Sequence, residues 1–403
     1  MKVALVHDFL TEYGGAERVL EALHEIYPKA PVYCAYHDPV SLGVNAKKFK
    51  NWKIITSWGT KLPFWRKLIS PYRIFSKSFF EHFDLSEYDL VISSSNAYMA
   101  KAVKVPNGVH ICYCHTPPRF LYGYPTALNW RKNPLLRPVG EVINHFMRVW
   151  DFEIAQDVNF FIANSKEVQG RIKKFYRRDS EVIYPPVDIK WLTAYSLQQT
   201  AVSGKQSASY FLVVSRLVAS KNVEIAVEVC KKLKLPLKVV GGGKELVSLK
   251  KLAADITPKL TDRSKKVKRE EGTVEFLGEV SDKELVELYQ NCRAVIFPAS
   301  QEDFGLVPVE VMAVGKPVIA NAEGGVLETV IDWPAGKGKC TGVYFDPPTV
   351  GSLTLALNNF MDIEKKGYFD AKFIQKHAQK FSKERFKREI AKFVESKLKD
   401  AKL

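Results

Sequence analysis

The chain has 403 residues, of which 46% are apolar and 26% charged, and it carries a net charge of +16 at pH 7. That length exceeds one ordinary core and suits two domains of roughly 150–200 residues each, in a composition typical of soluble globular proteins. No run approaches the roughly 18 apolar residues of a membrane span, while the excess of base calls for an anionic partner such as nucleic acid, a membrane surface or a phosphorylated ligand.

The first predicted element is the strand "KVALVHD". It ends in His7 and Asp8, is followed by polar and glycine residues, and lacks the apolar core and cleavage site of a signal peptide. A cytoplasmic chain is therefore expected. Gly14 and Gly15 follow, before the helical pattern "GAERVLEALHEIY". A glycine pair after a strand marks a tight turn, which any fold can use. Residues 47–83 hold nine Lys or Arg against one acid, Glu81, with ten aromatics interleaved, among them Trp52, Trp58, Phe64, Trp65 and Phe75. Such a stretch reads either as a solvated face over ordinary core aromatics or as a surface for an anionic membrane.

Three more strand-like runs follow: "DLVISSS", "VHICYCH" and "VNFFIAN". Cys112 and Cys114 lie in the second. Alternate residues of a strand share a face, so the two thiols read as small core neighbours, and their spacing matches no usual zinc pattern. His115 ends that run, just before Pro117 and Pro118, where a loop lining a ligand site should begin. Residues 182–209 open with tandem prolines and turn rich in Ser, Gln and Gly, the mark of a hinge and a polar connection.

A second set of strands then appears: "YFLVVSR", "LKVVGGG", "VEFLG", "RAVIFP" and "KPVIAN". Residues 258–272 read as an exposed charged loop, and "SDKELVELYQNC" as a helix. Strands alternating with helices predict parallel sheets covered by helices. The expected fold is α/β, with two doubly wound Rossmann-like domains facing a cleft. Their bounds are expected at 1–185 and 186–375, and residues 376–403 should form a helix packing back on the first domain. Ligands of such sheets sit beyond the carboxyl ends of the strands.

The stretch "SQEDFGLVPVEVMAVGKPVIANAEGG" carries Glu302 and Glu310 around a predicted helix start. Gly305 permits a tight turn, and Pro308 fits the first turn of a helix. A helix start binds anions through its free N–H groups. Carboxylate, anion site and carboxylate in series match the layout of a nucleotide sugar: sugar hydroxyls, diphosphate, ribose hydroxyls. An ordinary surface helix with acids near its positive end has the same pattern.

Glu302 and Glu310, seven residues between them, resemble the EX7E motif of retaining glycosyltransferases of family 4, which have the GT-B fold. "VALVHDFLTEYGGAERVLEAL", "VHICYCHTPPRFLY", "EVIYPPVD" and, most specifically, "VEFLGEVSDKELVELYQNCRAVIFPASQEDFGLVPVE" extend the resemblance over nearly the whole chain. They are similar to a mannosyltransferase subgroup of surface-polysaccharide assembly. The resemblance implies that Glu302 holds hydroxyls of the transferred sugar and Glu310 the nucleotide ribose. It places the backbone of Phe304, Gly305 and Leu306 near the diphosphate and sugar, with Arg216 and Lys221 on the diphosphate. Gly14 and Gly15 would close over the phosphates, Gly241 to Gly243 would form a further glycine loop near the donor, and His115 would hydrogen bond a sugar hydroxyl. His7 and Asp8 would meet the acceptor.

The implied substrates are a nucleotide sugar, GDP-mannose in the favoured case, and a glycan or lipid-linked saccharide acceptor. No metal, other cofactor or nucleic acid is expected. Location would be cytoplasmic, with peripheral attachment to the inner face of the membrane as a further expectation. Two other classes compete: a nucleotide-sugar epimerase or hydrolase of the same architecture, which needs no acceptor, and a basic nucleic-acid-binding protein, for which no recognition-helix, RRM or zinc-finger signature is present.

Overall fold

The computed structural model describes residues 1–124, 136–203, 209–255, 272–333 and 339–400. The chain divides into two compact units: Met1–Pro186 with Lys383–Leu403, and Val187–Ser382. The first unit holds seven strands: β1 (Val3–His7), β2 (Val32–Cys34), β3 (Ile54–Thr56), β4 (Leu90–Ser95), β5 (Val109–Cys114), β6 (Phe160–Ala163) and β7 (Ser180–Val182). They form one sheet in the order β3-β2-β1-β4-β5-β6-β7, with every pairing parallel. The second unit holds β8 (Tyr210–Val214), β9 (Leu237–Val240), β10 (Val274–Gly278), β11 (Cys292–Phe297), β12 (Val318–Asn321) and β13 (Gly342–Phe345). Its order is β10-β9-β8-β11-β12-β13, again parallel throughout.

Parallel strands covered on both faces need apolar residues at successive positions. β4 and β5 are buried along their whole length, which is why "LVISSS" and "VHICYC" carry only small or apolar residues and one internally paired histidine. Each sheet reverses its winding once: between β1 and β4, and between β8 and β11. Loops leaving the carboxyl ends of strands at such a reversal diverge and leave room for a ligand.

On one face of the first sheet, Leu5, Val32, Ile92 and Ile111 pack with Val19, Leu20 and Leu23 of the helix Gly15–Ile26. The same core contains Phe386, Ile390, Phe393 and Val394 of the helix Lys383–Asp400. Lys383 and Lys387 of that helix reach Glu25 at 3.2 and 3.0 Å. The return therefore begins at Lys383, and residues 376–382 stay with the second unit. Cys112 and Cys114 share a buried cluster with Ala155, Phe161 and Ala163, as strand alternation predicts. Burial pushes the Cys112 thiol up to about 12.

The reading of the connection after the tandem prolines needs correction. Residues 189–203, read as polar connection, form the helix Ile189–Ser203. Asp188 Oδ1 accepts the Trp191 N–H at 3.1 Å to begin it, Ile189 and Leu192 are buried, and the Tyr195 hydroxyl meets Glu287 at 3.2 Å. Tertiary cover rather than amphipathic patterning holds it. The charged loop expected at 258–272 lies almost entirely outside the described residues.

For residues 47–83 the sequence left two readings open. Their tryptophans serve the core: Trp52 stacks on His24 at 3.8 Å, Trp65 on Tyr36 at 5.2 Å, and Trp58 meets the Phe79 ring at 4.8 Å. Aromatic pairs of this kind add about 0.5–1.5 kcal/mol beyond area burial. Phe64 remains 76% exposed and Phe75 39%, among exposed Lys47, Lys50, Lys53, Lys61 and Lys67.

Candidate functional site

In the second unit, the loops leaving β8, β11 and β12 are tied to one another. Asn222 Nδ2 donates to the Pro298 carbonyl at 3.0 Å and to Ser300 Oγ at 2.8 Å, and Ser300 N donates to the Ser220 carbonyl at 3.2 Å. Asn321 Nδ2 donates to the Ala299 carbonyl at 3.3 Å. These bonds set the place of the predicted charged residues. Lys221 ends the short 3-10 turn Ala219–Lys221, and its ammonium donates to Glu302 Oε2. Both side chains are partly exposed, at 16% and 21%. The structure thus joins two residues that the sequence reading assigned to different parts of a ligand. Arg216 lies exposed on the loop after β8.

Gly305, at φ +85°, caps the helix Leu306–Ala313 in a left-handed conformation that other residues adopt only with strain. Pro308 occupies the first turn and Glu310 the second. Glu310 is 5% exposed and accepts the Tyr289 hydroxyl at 2.8 Å. The Phe304 side chain is buried and packs on Phe381 at 5.6 Å, so only its backbone is placed to approach a ligand. Leu306 opens the helix.

The glycines sort by steric need. Gly241, at φ +120°, lies so close to β8 that a Cβ there would meet the Ser215 carbonyl oxygen at 2.0 Å. Packing alone accounts for that glycine. Gly14 has φ −147°, and a Cβ would meet only Glu17 Oε2, at an ordinary 3.5 Å. Among the described residues, no contact requires glycine at position 14. Gly15 is the first residue of the helix.

Gly324 and Gly325 were given no role from sequence. A Cβ on Gly324 would meet the Glu302 carbonyl oxygen at 2.4 Å, and Gly325 N donates to that oxygen at 2.8 Å. The loop after β12 therefore fixes the backbone of Glu302. The signal was a glycine pair following a strand, the same one noted at Gly14.

In the first unit, His7, Asp8 and His115 gather at the carboxyl ends of β1 and β5. Asp8 is 3% exposed, and its carboxylate accepts N–H groups of Asn96 (3.0 Å), Tyr98 (2.8 Å) and Ala100 (2.9 Å). Burial raises its pKa, against the pull of those three donors. This carboxylate holds the turn after β4, which removes the physical case for an acceptor contact. His7 Nδ1 lies 3.1 Å from Ser94 Oγ, and His7 Nε2 lies 3.3 Å from Glu17 Oε1. His115 Nε2 lies 2.8 Å from the same Ser94 Oγ. Burial, with a smaller push from His7, lowers the His115 pKa to about 3, so its imidazole is neutral at physiological pH. Among the described residues, no group of three or more His, Cys, Asp or Glu is placed to hold a metal ion.

Two parallel-sheet Rossmann-like units, with acidic and basic side chains at the strand ends of a winding reversal, define the GT-B class of fold. Solved structures agree: Anabaena HepE in complex with UDP superposes with a TM-score of 0.68 at 20% identity, covering 98% of this chain and all of that one. Sucrose-phosphate synthase from Thermosynechococcus elongatus gives 0.71 at 17% identity, covering 99% and 100%. Family models place the chain more narrowly. The model described as Glycosyltransferase Family 4 matches residues 13–191, and that described as Glycosyl transferases group 1 matches residues 198–388. The chain belongs to this glycosyltransferase family. Among curated relatives, the alpha-1,3/1,6-mannosyltransferase ALG2 of Candida glabrata is 27% identical over 57% of this chain and 54% of its own length. The Kluyveromyces lactis ALG2 is 23% identical over 70% of this chain and 60% of its own. The chain thus spans between half and two thirds of these relatives.

Proposed function

We propose that the protein is a retaining glycosyltransferase that moves a hexose, mannose from GDP-mannose in the favoured case, to a hydroxyl of a glycan or lipid-linked saccharide. The observation that carries this reading is the placing of Lys221, Glu302 and Glu310 around a glycine-capped helix start at the winding reversal of the second sheet. Relatives named as mannosyltransferases favour mannose. In the reaction, the bond from the anomeric carbon to the diphosphate oxygen breaks as the acceptor oxygen bonds that carbon from the same face. The acceptor's proton passes to the departing phosphate oxygen.

Negative charge grows on the diphosphate as that bond breaks, and fixed cations act most strongly there. Arg216 and Lys221 supply them, and the N–H groups of the helix start add oriented dipoles, with no divalent metal. Glu302 orients sugar hydroxyls and Glu310 the ribose, so the protein acts through positioning and charge rather than a covalent nucleophile. Thermal stabilisation by a panel of GDP- and UDP-sugars, followed by transfer assays in EDTA, tests the reading. GDP-mannose should stabilise most, and product should form with EDTA present. Equally fast donor turnover without any acceptor would replace transfer by hydrolysis or epimerisation.

A lipid-linked acceptor calls for attachment to the inner face of the membrane. Support comes from exposed Phe64 between Lys61 and Lys67, and from an apolar stripe on the helix Leu136–Asp157. There Val139, Val142, Ile143, Phe146, Val149 and Trp150 are all exposed. Among the described residues no helix is long and apolar enough to cross a membrane. Arg66 belongs to a different role, since its Nε meets the buried Asp38 carboxylate at 2.9 Å. Cosedimentation with vesicles should require anionic lipid, fall with salt, and weaken in a Lys61→Gln, Phe64→Ser, Lys67→Gln triple variant. Equal pelleting with neutral vesicles, or none with either, removes the membrane and leaves sugar transfer standing.

A further inference from the structure

A buried chain of hydrogen bonds runs from the glycine turn to His115. Gly14 N donates to Glu17 Oε2 at 2.7 Å, and the other oxygen of that carboxylate, Oε1, lies 3.3 Å from His7 Nε2. His7 Nδ1 lies 3.1 Å from Ser94 Oγ, which lies 2.8 Å from His115 Nε2. Glu17, His7, Ser94 and His115 are 4%, 2%, 0% and 7% exposed. Four elements contribute: the first turn of the helix Gly15–Ile26, the carboxyl ends of β1 and β4, and the residue after β5.

We infer that Glu17 fixes the tautomer of His115, acting through His7 and Ser94 as positioning residues. A carboxylate only accepts, so His7 carries its proton on Nε2. In this order the Ser94 hydroxyl donates its proton to His7 Nδ1. Having spent its one proton, the Ser94 oxygen can only accept from His115, whose proton is therefore on Nε2. His115 Nδ1, with no hydrogen-bond partner among the described residues, is left as an acceptor. The opposite order, with Ser94 donating to His115 Nε2, would need protons on both His7 nitrogens and would leave the His115 proton on Nδ1, so the His115 tautomer reports the direction of the chain. The remaining surroundings agree. The Tyr113 and His115 rings meet in a T-shaped arrangement at 5.2 Å, and the Asp8 carboxylate beside His7 is occupied by three backbone donors.

The consequence for the reaction rests on the reading that His115 meets a substrate hydroxyl. An Nδ1 acceptor takes that hydroxyl's proton into a hydrogen bond and orients its oxygen, and an Nδ1 donor would turn the oxygen the other way. The device extends the glycine turn's influence: whatever displaces Gly14 also pulls on the carboxylate that orders the relay.

Ring-nitrogen NMR of the full chain with labelled histidine tests the relay without any substrate. His115 should show a protonated Nε2 and a bare Nδ1. Ser94→Ala and, separately, Glu17→Ala should convert it to a mixture of tautomers. A protonated Nδ1 in the wild type, or an unchanged His115 spectrum in both variants, overturns the proposal. The wild-type spectrum decides even if a variant fails to fold. In transfer assays, folded Ser94→Ala should lose on the order of tenfold in kcat/KM, as for one positioned hydrogen bond, with its melting temperature little changed. If the tautomers shift as expected while His115→Ala transfers at the wild-type rate, the relay stands and the contact between His115 and the substrate falls.

Discussion

Replacing Glu310 by alanine is expected to raise the dissociation constant of the nucleotide-sugar donor roughly 10–100-fold, through the loss of charge-assisted hydrogen bonds of about 1.5–3 kcal/mol. The structure adds a second effect. Tyr289 OH donates to Glu310 at 2.8 Å, so alanine also strands a buried hydroxyl, at a stability cost of about 1–3 kcal/mol. Glu310→Gln separates the two. Its amide oxygen still accepts from Tyr289, so stability should be kept, while the charge that favours ribose hydroxyls is gone. Calorimetry on both variants decides the matter: wild-type donor affinity in a folded Glu310→Ala would end the ribose assignment.

An even larger stability change is expected in the first unit. Lys101 and Asp151 form an ion pair at 1% and 0% exposure, and the Tyr122 hydroxyl donates to the second Asp151 oxygen at 2.8 Å. Burial opposes the Lys101 charge, and the Asp151 carboxylate more than offsets it, holding the amine's pKa above its usual value. Removing one partner leaves an uncompensated buried charge. Asp151→Ala should therefore cost about 3–5 kcal/mol, roughly 6–20 °C in melting temperature for a unit of this size. Replacing both partners by apolar residues of similar volume should restore most of that loss. A single variant that melts within about 2 °C of wild type would show that water reaches the pair.

Long, fully buried strands were legible because both faces demand the same chemistry, as in "LVISSS" and "VHICYC". Four other strands were not. β2, β3 and β7 have three residues each, too few for any period to show, and β13 lies in a run broken by glycine. The helix Ile189–Ser203 was hidden because its Ser, Thr and Gln residues read as linker. In the candidate site, Glu302 and Glu310 were visible through their spacing around Gly305 and Pro308. Their partners were not, because Lys221 meets Glu302 across 81 positions and Tyr289 meets Glu310 across 21. His7 and Ser94 are 87 apart. Contacts between loops of different strands follow from sheet order, and sheet order is not written in local pattern.

The return of the chain at Lys383 has a consequence for synthesis. The first core needs Phe386, Ile390, Phe393 and Val394, yet about 200 residues of the second unit, Val187–Ser382, are made before them. At about 5–20 residues per second, translation leaves the amino-terminal sheet waiting roughly 10–40 s with that face uncovered. The second unit is continuous in sequence and can close as it emerges. The order of assembly thus runs against the order of the chain, and the amino-terminal unit is the one that most needs a chaperone during its own synthesis.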